Sequence, residues 1–326
     1  MVLKNKCNLY TNCNICPREC GAKRNDGKIG YCGCTDNILL TRVSLHMWEE
    51  PCISGTNGSG TVFFSGCHLK CVFCQNEPAV MLKNSKQVSP ERLSDIFFEL
   101  EQKGAHNINL VTPSHFAPSV AKAINTAKQK NISIPFVYNC GGYEKCETLK
   151  MFDGIIDIYL PDFKYMSPSI AKKYSNAADY ANVCKNAVNE MLRQTGRFEF
   201  NEKELIKRGV IVRHLVLPGY AGDSKRIIKY LHNTYGDNIY ISIMGQYTPK
   251  CDIYGDGGVF AEKYPELCRT LTQDEYNDVV EFAESEGVKY AYTQFLSSGS
   301  KDYVPDFSEQ NKQENGVNKI AVKRKT

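Results

Sequence analysis

The sequence predicts an α/β fold, an open partial (β/α)6 barrel of parallel strands preceded by a small cysteine-rich N-terminal extension. Two observations carry this prediction. From Thr61 onward, short β-rich runs alternate with helical patterns, and the runs are almost continuously apolar, as is typical of strands buried on both faces of a parallel sheet. Before Thr61 the cysteines are dense. We therefore divide the 326 residues into an extension at 1–60, a barrel at 61–298 and a polar tail at 299–326.

The predicted strands lie at 61–65, 108–112, 134–139, 155–160, 210–216 and 239–244, with a further candidate at 290–293. Helical patterns with clear end signals connect them. Ser89 and Pro90 supply an N-cap and a first residue, and Gly104 supplies an end. Thr272 and Glu275 form a capping-box pattern. This alternation indicates right-handed βαβ units, whose chemistry is expected at the carboxyl ends of the strands.

The composition is that of an ordinary globular chain, with 42% hydrophobic and 23% charged residues. A net charge of +4 is too weak to indicate nucleic-acid binding. The first residues lack the apolar segment of a signal peptide, and no run approaches the roughly 20 apolar residues of a membrane span. We therefore predict a cytoplasmic protein without a membrane partner. Thiols stay reduced there, so the 15 cysteines indicate metal binding; in an exported protein they would indicate disulfides.

Three cysteines, Cys67, Cys71 and Cys74, follow the first predicted strand within eight residues. A four-iron, four-sulfur cluster takes four thiolate ligands, so three would leave one iron open, much as a catalytic zinc site keeps one position open. Half of a zinc site and an electron-transfer cluster are the alternatives. A zinc site would normally add a second cysteine pair, and a ferredoxin-type cluster a fourth cysteine, but neither follows Cys74 closely.

The Cys-x3-Cys-x2-Cys spacing, the aromatic Phe73 before the last cysteine and the preceding strand resemble the radical S-adenosylmethionine enzymes, and most closely their pyruvate formate-lyase activating enzyme-like branch. The resemblance implies that a [4Fe-4S] cluster on the three cysteines binds S-adenosyl-L-methionine through its open iron. Reduction of the cofactor would then give methionine and a 5′-deoxyadenosyl radical. The resemblance also implies that Phe73 and Asn76 lie against the adenosyl group, and that flavodoxin or ferredoxin donates the electron.

Further cofactor-binding candidates lie at the predicted strand ends: Thr112, Asn139, Asp162, Lys164, Arg213 and Gln246. Asp162 and Lys164 are similar to an Asp-Leu-Lys element that meets the methionine carboxylate and the ribose in activating enzymes. Arg213 lies within an apolar run, where a charge must be paired, and resembles the family's Arg before Val-Pro-Gly. Two positions depart from the family pattern, since Thr112, Pro113 and Ser114 stand in place of a Gly-Gly-Glu turn, and Gln246 or Tyr247 in place of a ribose-binding histidine.

The extension contains a candidate second metal site, formed by Cys13, Cys16, Cys20 and Cys32. A cysteine pair, a nearby third thiol and a fourth thiol after a glycine-containing loop are close to the pattern of a closed four-thiolate site. Such a site would hold structural zinc or an auxiliary cluster, and the spacing does not separate these two. A reduced, metal-free cap is the alternative.

The predicted function is therefore that of a radical S-adenosylmethionine oxidoreductase that abstracts a hydrogen atom from its substrate. By family analogy alone, a glycine of a partner enzyme is one candidate for that atom. Two other functions are open at this point. One is the radical modification of another peptide or small molecule, and the other is a non-enzymatic iron–sulfur or zinc protein with a redox or structural role.

Overall fold

The computed structural model describes residues 9–249 and 257–294, so the predicted tail at 299–326 lies outside the described residues. The strands are β1 (Ile38–His46), β2 (Ser59–Phe64), β3 (Lys86–Val88), β4 (Ile108–Val111), β5 (Phe136–Cys140), β6 (Ile158–Pro161), β7 (Glu199–Phe200), β8 (Ile206–Leu215), β9 (Tyr240–Met244) and β10 (Ala291–Thr293). The α-helices are α1 (Pro51–Ser54), α2 (Glu77–Val80), α3 (Pro90–Gln102), α4 (Ala117–Gln129), α5 (Cys146–Leu149), α6 (Pro168–Ser175), α7 (Tyr180–Thr195), α8 (Ala221–Tyr235), α9 (Gly257–Lys263) and α10 (Gln273–Ser285).

The strands form one mostly parallel sheet in the order β10-β9-β8-β6-β5-β4-β2-β1-β3. From β10 to β2 the neighbouring strands pair in parallel, whereas β1 is antiparallel to both β2 and β3, and β7 to β8. Among the described strands the path ends at β10 and β3 without closing. The predicted α/β fold with an open parallel sheet is therefore confirmed, and each predicted strand overlaps a parallel strand of the structure.

The helix-end signals in the sequence act as their chemistry predicts. The Ser89 side chain accepts a hydrogen bond from the backbone N–H of Arg92 at the start of α3. Both hydrogen bonds of the capping box between Thr272 and Glu275 are present at the start of α10. The apolar face of α3 is buried, as its 3.6-residue spacing predicts. Each fully buried apolar side chain of this kind contributes about 1.5–3 kcal/mol.

Strand β1 integrates the end of the cysteine-rich extension into the sheet. It pairs with β2 from Leu40 opposite Phe64 to His46 opposite Ser59. Because the pairing is antiparallel, β1 ends beside the start of β2, at the end of the sheet opposite the cysteine motif. Residues 47–50 follow β1 directly and lie at this end of the open barrel, which we call its floor.

The earlier part of the extension packs at the other end, against the loop that carries the cysteine motif. Arg24 is almost completely buried at 1% exposure, and its Nη1 donates to the carbonyl of His115 at 2.7 Å. The N–H of Cys67 donates to the carbonyl of Cys32 at 3.1 Å. Gly66 has a φ of 81°, and an added Cβ would lie 2.5 Å from Cys34 Sγ, so this close approach requires glycine.

Of the helices in the described part of the chain, none is both long and apolar enough to cross a lipid bilayer.

Candidate functional site

The predicted cluster ligands and cofactor-binding residues line a single cleft at the carboxyl ends of the parallel strands. They are Cys67, Cys71, Cys74, Phe73, Asn76, Thr112, Asn139, Asp162, Lys164, Arg213 and Gln246. The loop after β2 supplies the cysteines, and the ends of β4, β5, β6, β8 and β9 supply the polar side chains. The structure thus brings these residues together, while the role of each stays a prediction.

The cysteine loop is held by hydrogen bonds that involve the sulfur atoms. The N–H of Leu69 donates to Cys67 Sγ at 3.3 Å, and the hydroxyl of Ser175 donates to Cys71 Sγ at 3.0 Å. The N–H of Cys74 donates to the carbonyl of Cys71 at 3.1 Å and forms a tight turn. Donors directed at sulfur stabilise the thiolate form, which is the form that binds metal.

Without a bound metal, burial disfavours the thiolate forms of Cys67 and Cys74. It raises the pKa of Cys67 to about 11 and that of Cys74 to about 12, and the neighbouring thiol of Cys71 acts in the same direction. A bound metal would reverse this effect, because its positive charge stabilises thiolates and metal binding releases their protons. Three partly buried thiols on one loop, two of them already accepting hydrogen bonds on sulfur, are therefore a suitable donor set for a cluster.

The arrangement differs from that of a site for one metal ion. Among the described residues, no three His, Cys, Asp or Glu side chains are placed so that they could hold a metal ion. The thiolates of a cubane cluster each bind a different iron, so they surround a larger group and need not converge on one point. The three cysteines of the motif are compatible with such a cluster.

Asp162 is the centre of the charged network in the cleft. Its Oδ2 accepts from Lys164 Nζ at 2.6 Å, and its Oδ1 accepts from Arg213 Nε at 2.9 Å. Burial raises the pKa of Asp162, but the charges of Lys164 and Arg213 outweigh burial and lower it below the ordinary value. The carboxylate is therefore ionised at neutral pH and holds both cations in place.

All three nitrogen atoms of the Arg213 guanidinium group donate hydrogen bonds to acceptors within the protein. Besides Asp162, it donates through Nη1 to Glu49 Oε2 at 3.1 Å and through Nη2 to Asn139 Oδ1 at 2.6 Å. The sequence predicted that Arg213 must meet a carboxylate or an anionic ligand, and the structure supplies two carboxylates. Lys164 has Asp162 as its ion-pair partner, so its ammonium group retains donors for an anionic ligand in the cleft.

Glu49 and Glu50 line the cleft, and the sequence analysis did not identify them. Glu49 accepts from Asn109 Nδ2 at 2.9 Å in addition to Arg213. Burial raises the pKa of Glu50; the charge of Arg213 opposes this effect, and that of Glu49 adds to it. The available sequence signal was the pair of adjacent acids just before Pro51. It was missed because residues 1–60 were assigned to a separate extension.

The wall of the cleft beside the cysteines is aromatic. Phe73 is 7% exposed and makes edge-on contacts with Tyr165, Tyr174 and Tyr247, with ring centroids 6.1–6.4 Å apart. Such packing fixes the ring orientation and excludes water from this side of the cleft. The aromatic residue of the motif therefore both lines the cleft and joins it to the core.

The remaining predicted cofactor contacts are held mainly through the backbone. Thr112 has a left-handed conformation with a φ of 61°, and its N–H donates to the carbonyl of Asn139 at 2.8 Å. The carbonyl of Gln246 accepts from Gln75 Nε2 at 3.1 Å, which ties the cysteine loop to the end of β9. Asn76 precedes α2 and accepts the first backbone hydrogen bonds of that helix.

The candidate second metal site lies outside this cleft. Cys20 Sγ and Cys32 Sγ each lie 3.5 Å from the Cβ position of Gly30. Burial raises the pKa of Cys16 to about 12, and the nearby Cys13 and Cys32 also raise it. These thiols are neighbours, but in the described residues they do not form a metal-holding group. The second metal site stays a prediction.

Comparison with known proteins supports the cluster. Residues 53–158, which include all three cysteines of the motif, match the family model of a 4Fe-4S single cluster domain. This segment is similar to four-iron, four-sulfur proteins. The match covers the strands from β2 to the start of β6 and thus the part of the sheet that supports the cysteine loop.

Two other similarities are more limited. An uncharacterized protein of Methanocaldococcus jannaschii is 26% identical over 293 residues, which cover 87% of this chain and 78% of the relative. A crystal structure of a probable 2-pyrone-4,6-dicarboxylic acid hydrolase from Acinetobacter baumannii has 10% sequence identity and a TM-score of 0.28, with coverage of 66% of this chain and 77% of that one. A structural likeness of this size does not bear on function.

Proposed function

We propose that this protein is a radical S-adenosylmethionine oxidoreductase similar to the pyruvate formate-lyase activating enzymes. One observation carries the proposal: the three cysteines of the motif share a cleft with a lysine whose ammonium group has free donors and with a buried aromatic side chain. A cluster cysteine set, an anion-binding cation and an apolar wall are the three features that the cofactor's reacting groups require.

When bound, a [4Fe-4S] cluster would supply the electron for reductive cleavage of S-adenosylmethionine to methionine and a 5′-deoxyadenosyl radical, and this radical would abstract a hydrogen atom from the substrate. Cys67, Cys71 and Cys74 would hold the cluster. Lys164, oriented by Asp162, would meet a carboxylate of the cofactor, since an ammonium group is a compact cation suited to that partner. Phe73 would lie against the adenosyl group.

The remaining polar residues of the cleft would orient the cofactor rather than react with it. Asn76, Thr112, Asn139 and Gln246 offer amide, hydroxyl and backbone groups at the cleft surface. Arg213 would act through Asp162, because its nitrogens already donate to Asp162, Glu49 and Asn139. The cofactor provides the radical chemistry, and the chain provides position and exclusion of water.

The proposal includes a reducing partner such as flavodoxin or ferredoxin, in a cytoplasmic setting. A surface beside Cys71 is suited to an acidic donor. Lys70, Lys172 and Lys263 are exposed there and line one depression together with Ser175, whose hydroxyl contacts Cys71 Sγ. We name these three lysines the lysine surface. Positive charge close to the cluster would steer an anionic partner to the point of electron transfer.

The substrate is the least constrained part of the proposal. A glycine of a partner enzyme is the candidate that the resemblance suggests, and another peptide or a small molecule would use the same cluster and cofactor residues. A non-enzymatic iron–sulfur or zinc carrier is the alternative from a different class. It predicts no interaction with S-adenosylmethionine.

The proposal is tested by electron paramagnetic resonance of the anaerobically reconstituted and reduced protein, with and without S-adenosylmethionine. The expected result is a four-iron signal that changes when the cofactor is added, together with formation of 5′-deoxyadenosine. Cys71→Ala should abolish both, whereas Cys146→Ala, on α5 and outside the cleft, should retain both. A signal unaffected by the cofactor would favour the carrier alternative.

A further inference from the structure

The floor of the cleft contains a carboxylate with an unused acceptor. Glu50 is 7% exposed and lines the cleft, yet its Oε2 receives no hydrogen bond. The backbone of Glu50 is fixed, because its carbonyl accepts from the N–H groups of Ile53 and Ser54 at 2.7 and 3.0 Å. The start of α1 therefore fixes the backbone from which this side chain extends. A buried acceptor without a partner is costly, which points to a ligand that supplies the donor.

The charged side chains around Glu50 favour a cationic hydrogen-bond donor over a neutral one. Among the Asp, Glu, Lys and Arg side chains that line the cleft, the acids Glu49, Glu50 and Asp162 outnumber the cations Lys164 and Arg213 by one. The Arg213 and Lys164 groups are paired with Asp162 and Glu49. Glu50 is the acid left without an ion-pair partner in this set.

The surroundings of Glu50 also suit an organic cation. Trp48 lines the same end of the cleft, and an indole face is the best aromatic partner for an ammonium or guanidinium group. The side chain of Ser242 lies next to Glu50, and Glu50 Oε2 keeps an unused acceptor. A divalent metal ion fits less well, because no three candidate ligand side chains in the described chain are placed to hold one.

We infer that Glu50, at the floor of the cleft beside Glu49 and Trp48, binds an ammonium or guanidinium group of the substrate. This inference deepens the proposed function, on which it rests, because it assigns a substrate class to the same cleft. The cationic group would donate to Glu50 Oε2, and the remainder of the substrate would extend toward the cysteine end. Substrates with a basic nitrogen would thus be preferred over neutral or acidic ones.

The test compares two probes of nearly equal shape, n-butylguanidinium and the neutral n-butylurea. Binding to the full-length, cluster-reconstituted protein with S-adenosylmethionine present is measured by isothermal titration calorimetry. We expect the cation to bind at least about tenfold more tightly than the urea, which corresponds to about 1.4 kcal/mol. Glu50→Gln, verified as folded by circular dichroism, should remove this preference. Glu99→Gln, in an exposed ion pair with Arg92 on α3, should retain it.

Equal binding of the two probes to the wild-type protein would overturn the inference without reference to any variant. A cation preference that survives in Glu50→Gln would overturn it as well, and so would displacement of n-butylguanidinium by an equal concentration of Mg²⁺. The paramagnetic resonance signal of the same sample separates these failures from failure of the proposed function. A signal that responds to S-adenosylmethionine without any cation preference removes the inference alone.

Discussion

Asp162 and Arg213 are joined across two neighbouring parallel strands, both by a backbone bridge and by a side-chain hydrogen bond of 2.9 Å from Nε to Oδ1. The other carboxylate oxygen of Asp162 holds Lys164. The position of the lysine that faces the cleft therefore depends on a carboxylate that the arginine keeps in place. Removing this one carboxylate would leave Lys164 without its ion-pair partner and Arg213 with Glu49 as its remaining carboxylate partner.

Asp162→Asn is accordingly expected to destabilise the fold strongly. Breaking a buried ion pair leaves an uncompensated charge, and the typical cost is about 3–5 kcal/mol in the free energy of unfolding. Urea denaturation at neutral pH measures this change. Asp95→Asn is the matched control, since Asp95 pairs with Lys130 at the surface with 56% exposure, where an ion pair contributes about 0–1 kcal/mol. Similar losses in the two variants would show that the Asp162 network is not a stabilising element.

Lys164→Met should weaken cofactor binding while preserving most of the side-chain volume. A hydrogen bond to a charged group contributes about 1.5–3 kcal/mol, so the dissociation constant for S-adenosylmethionine should rise by roughly 10-fold to 150-fold. Calorimetry on the cluster-reconstituted protein measures the constant. The control is Lys128→Met, whose ammonium group pairs with Asp157 away from the cleft. An unchanged constant in Lys164→Met would remove this lysine from the site.

The sequence was sufficient for the fold and for the residues at the strand ends, because both follow from local patterns. Apolar runs, caps and cysteine spacing are each read within a few residues, and parallel strands place their carboxyl ends on one edge whatever the details of packing. For this reason Asp162, Lys164 and Arg213, which are up to 51 residues apart in the chain, could be proposed together from the sequence; they line the same cleft as the cysteines, and their binding of a cofactor stays a prediction.

The floor of the cleft could not be predicted in the same way. Glu49 contacts Arg213 across 164 residues, and that contact depends on the antiparallel pairing of β1 with β2. No sequence pattern in the extension predicts the direction of β1. The cysteines of the extension were interpreted as possible metal ligands. Local sequence patterns therefore identified the residues at the cysteine end of the cleft, whereas the residues at its floor were identified only from the tertiary structure.

The free energy of unfolding should fall as the pH is lowered, and His115 should account for part of this fall. His115 is buried and donates from Nε2 to the carbonyl of Ser65 at 2.8 Å. Burial, with a smaller effect from the charge of Arg24, lowers the pKa of His115 from 6.5 to about 3. Between these values the unfolded chain binds a proton that the folded chain does not, so this contribution is complete above pH 6.5 and declines as the pH falls toward 3.

His115→Gln retains a side-chain donor but removes the titrating group. It should flatten the dependence of the unfolding free energy on pH between about 6.5 and 3, relative to the wild-type protein. The comparison must be made between the two proteins, since Glu144, whose pKa is raised by burial to about 7, changes stability in the opposite direction over part of this range. Urea titrations at several pH values give both curves, and parallel curves would contradict the prediction.

The lysine surface should control reduction by an acidic protein donor without affecting reduction by a small molecule. Lys70 and Lys172 are exposed. Lys70 lies over the ring of Tyr31 and Lys172 donates to the amide oxygen of Asn176, so these contacts leave both positive charges available to a partner. Reversing both, as Lys70→Glu with Lys172→Glu, should slow cluster reduction by flavodoxin at least about tenfold at low salt, because steered association is faster by 10-fold or more.

The rate with the wild-type protein should fall as ionic strength rises, and the charge-reversed variant should lose that dependence. Stopped-flow absorbance measures both, and dithionite should reduce the two proteins equally. Lys122→Glu with Lys130→Glu is the matched control, because these lysines are exposed on the far side of α4 and pair with Glu91 and Asp95. An equal effect of the control variant would indicate a response to net charge and would exclude the lysine surface as the docking site.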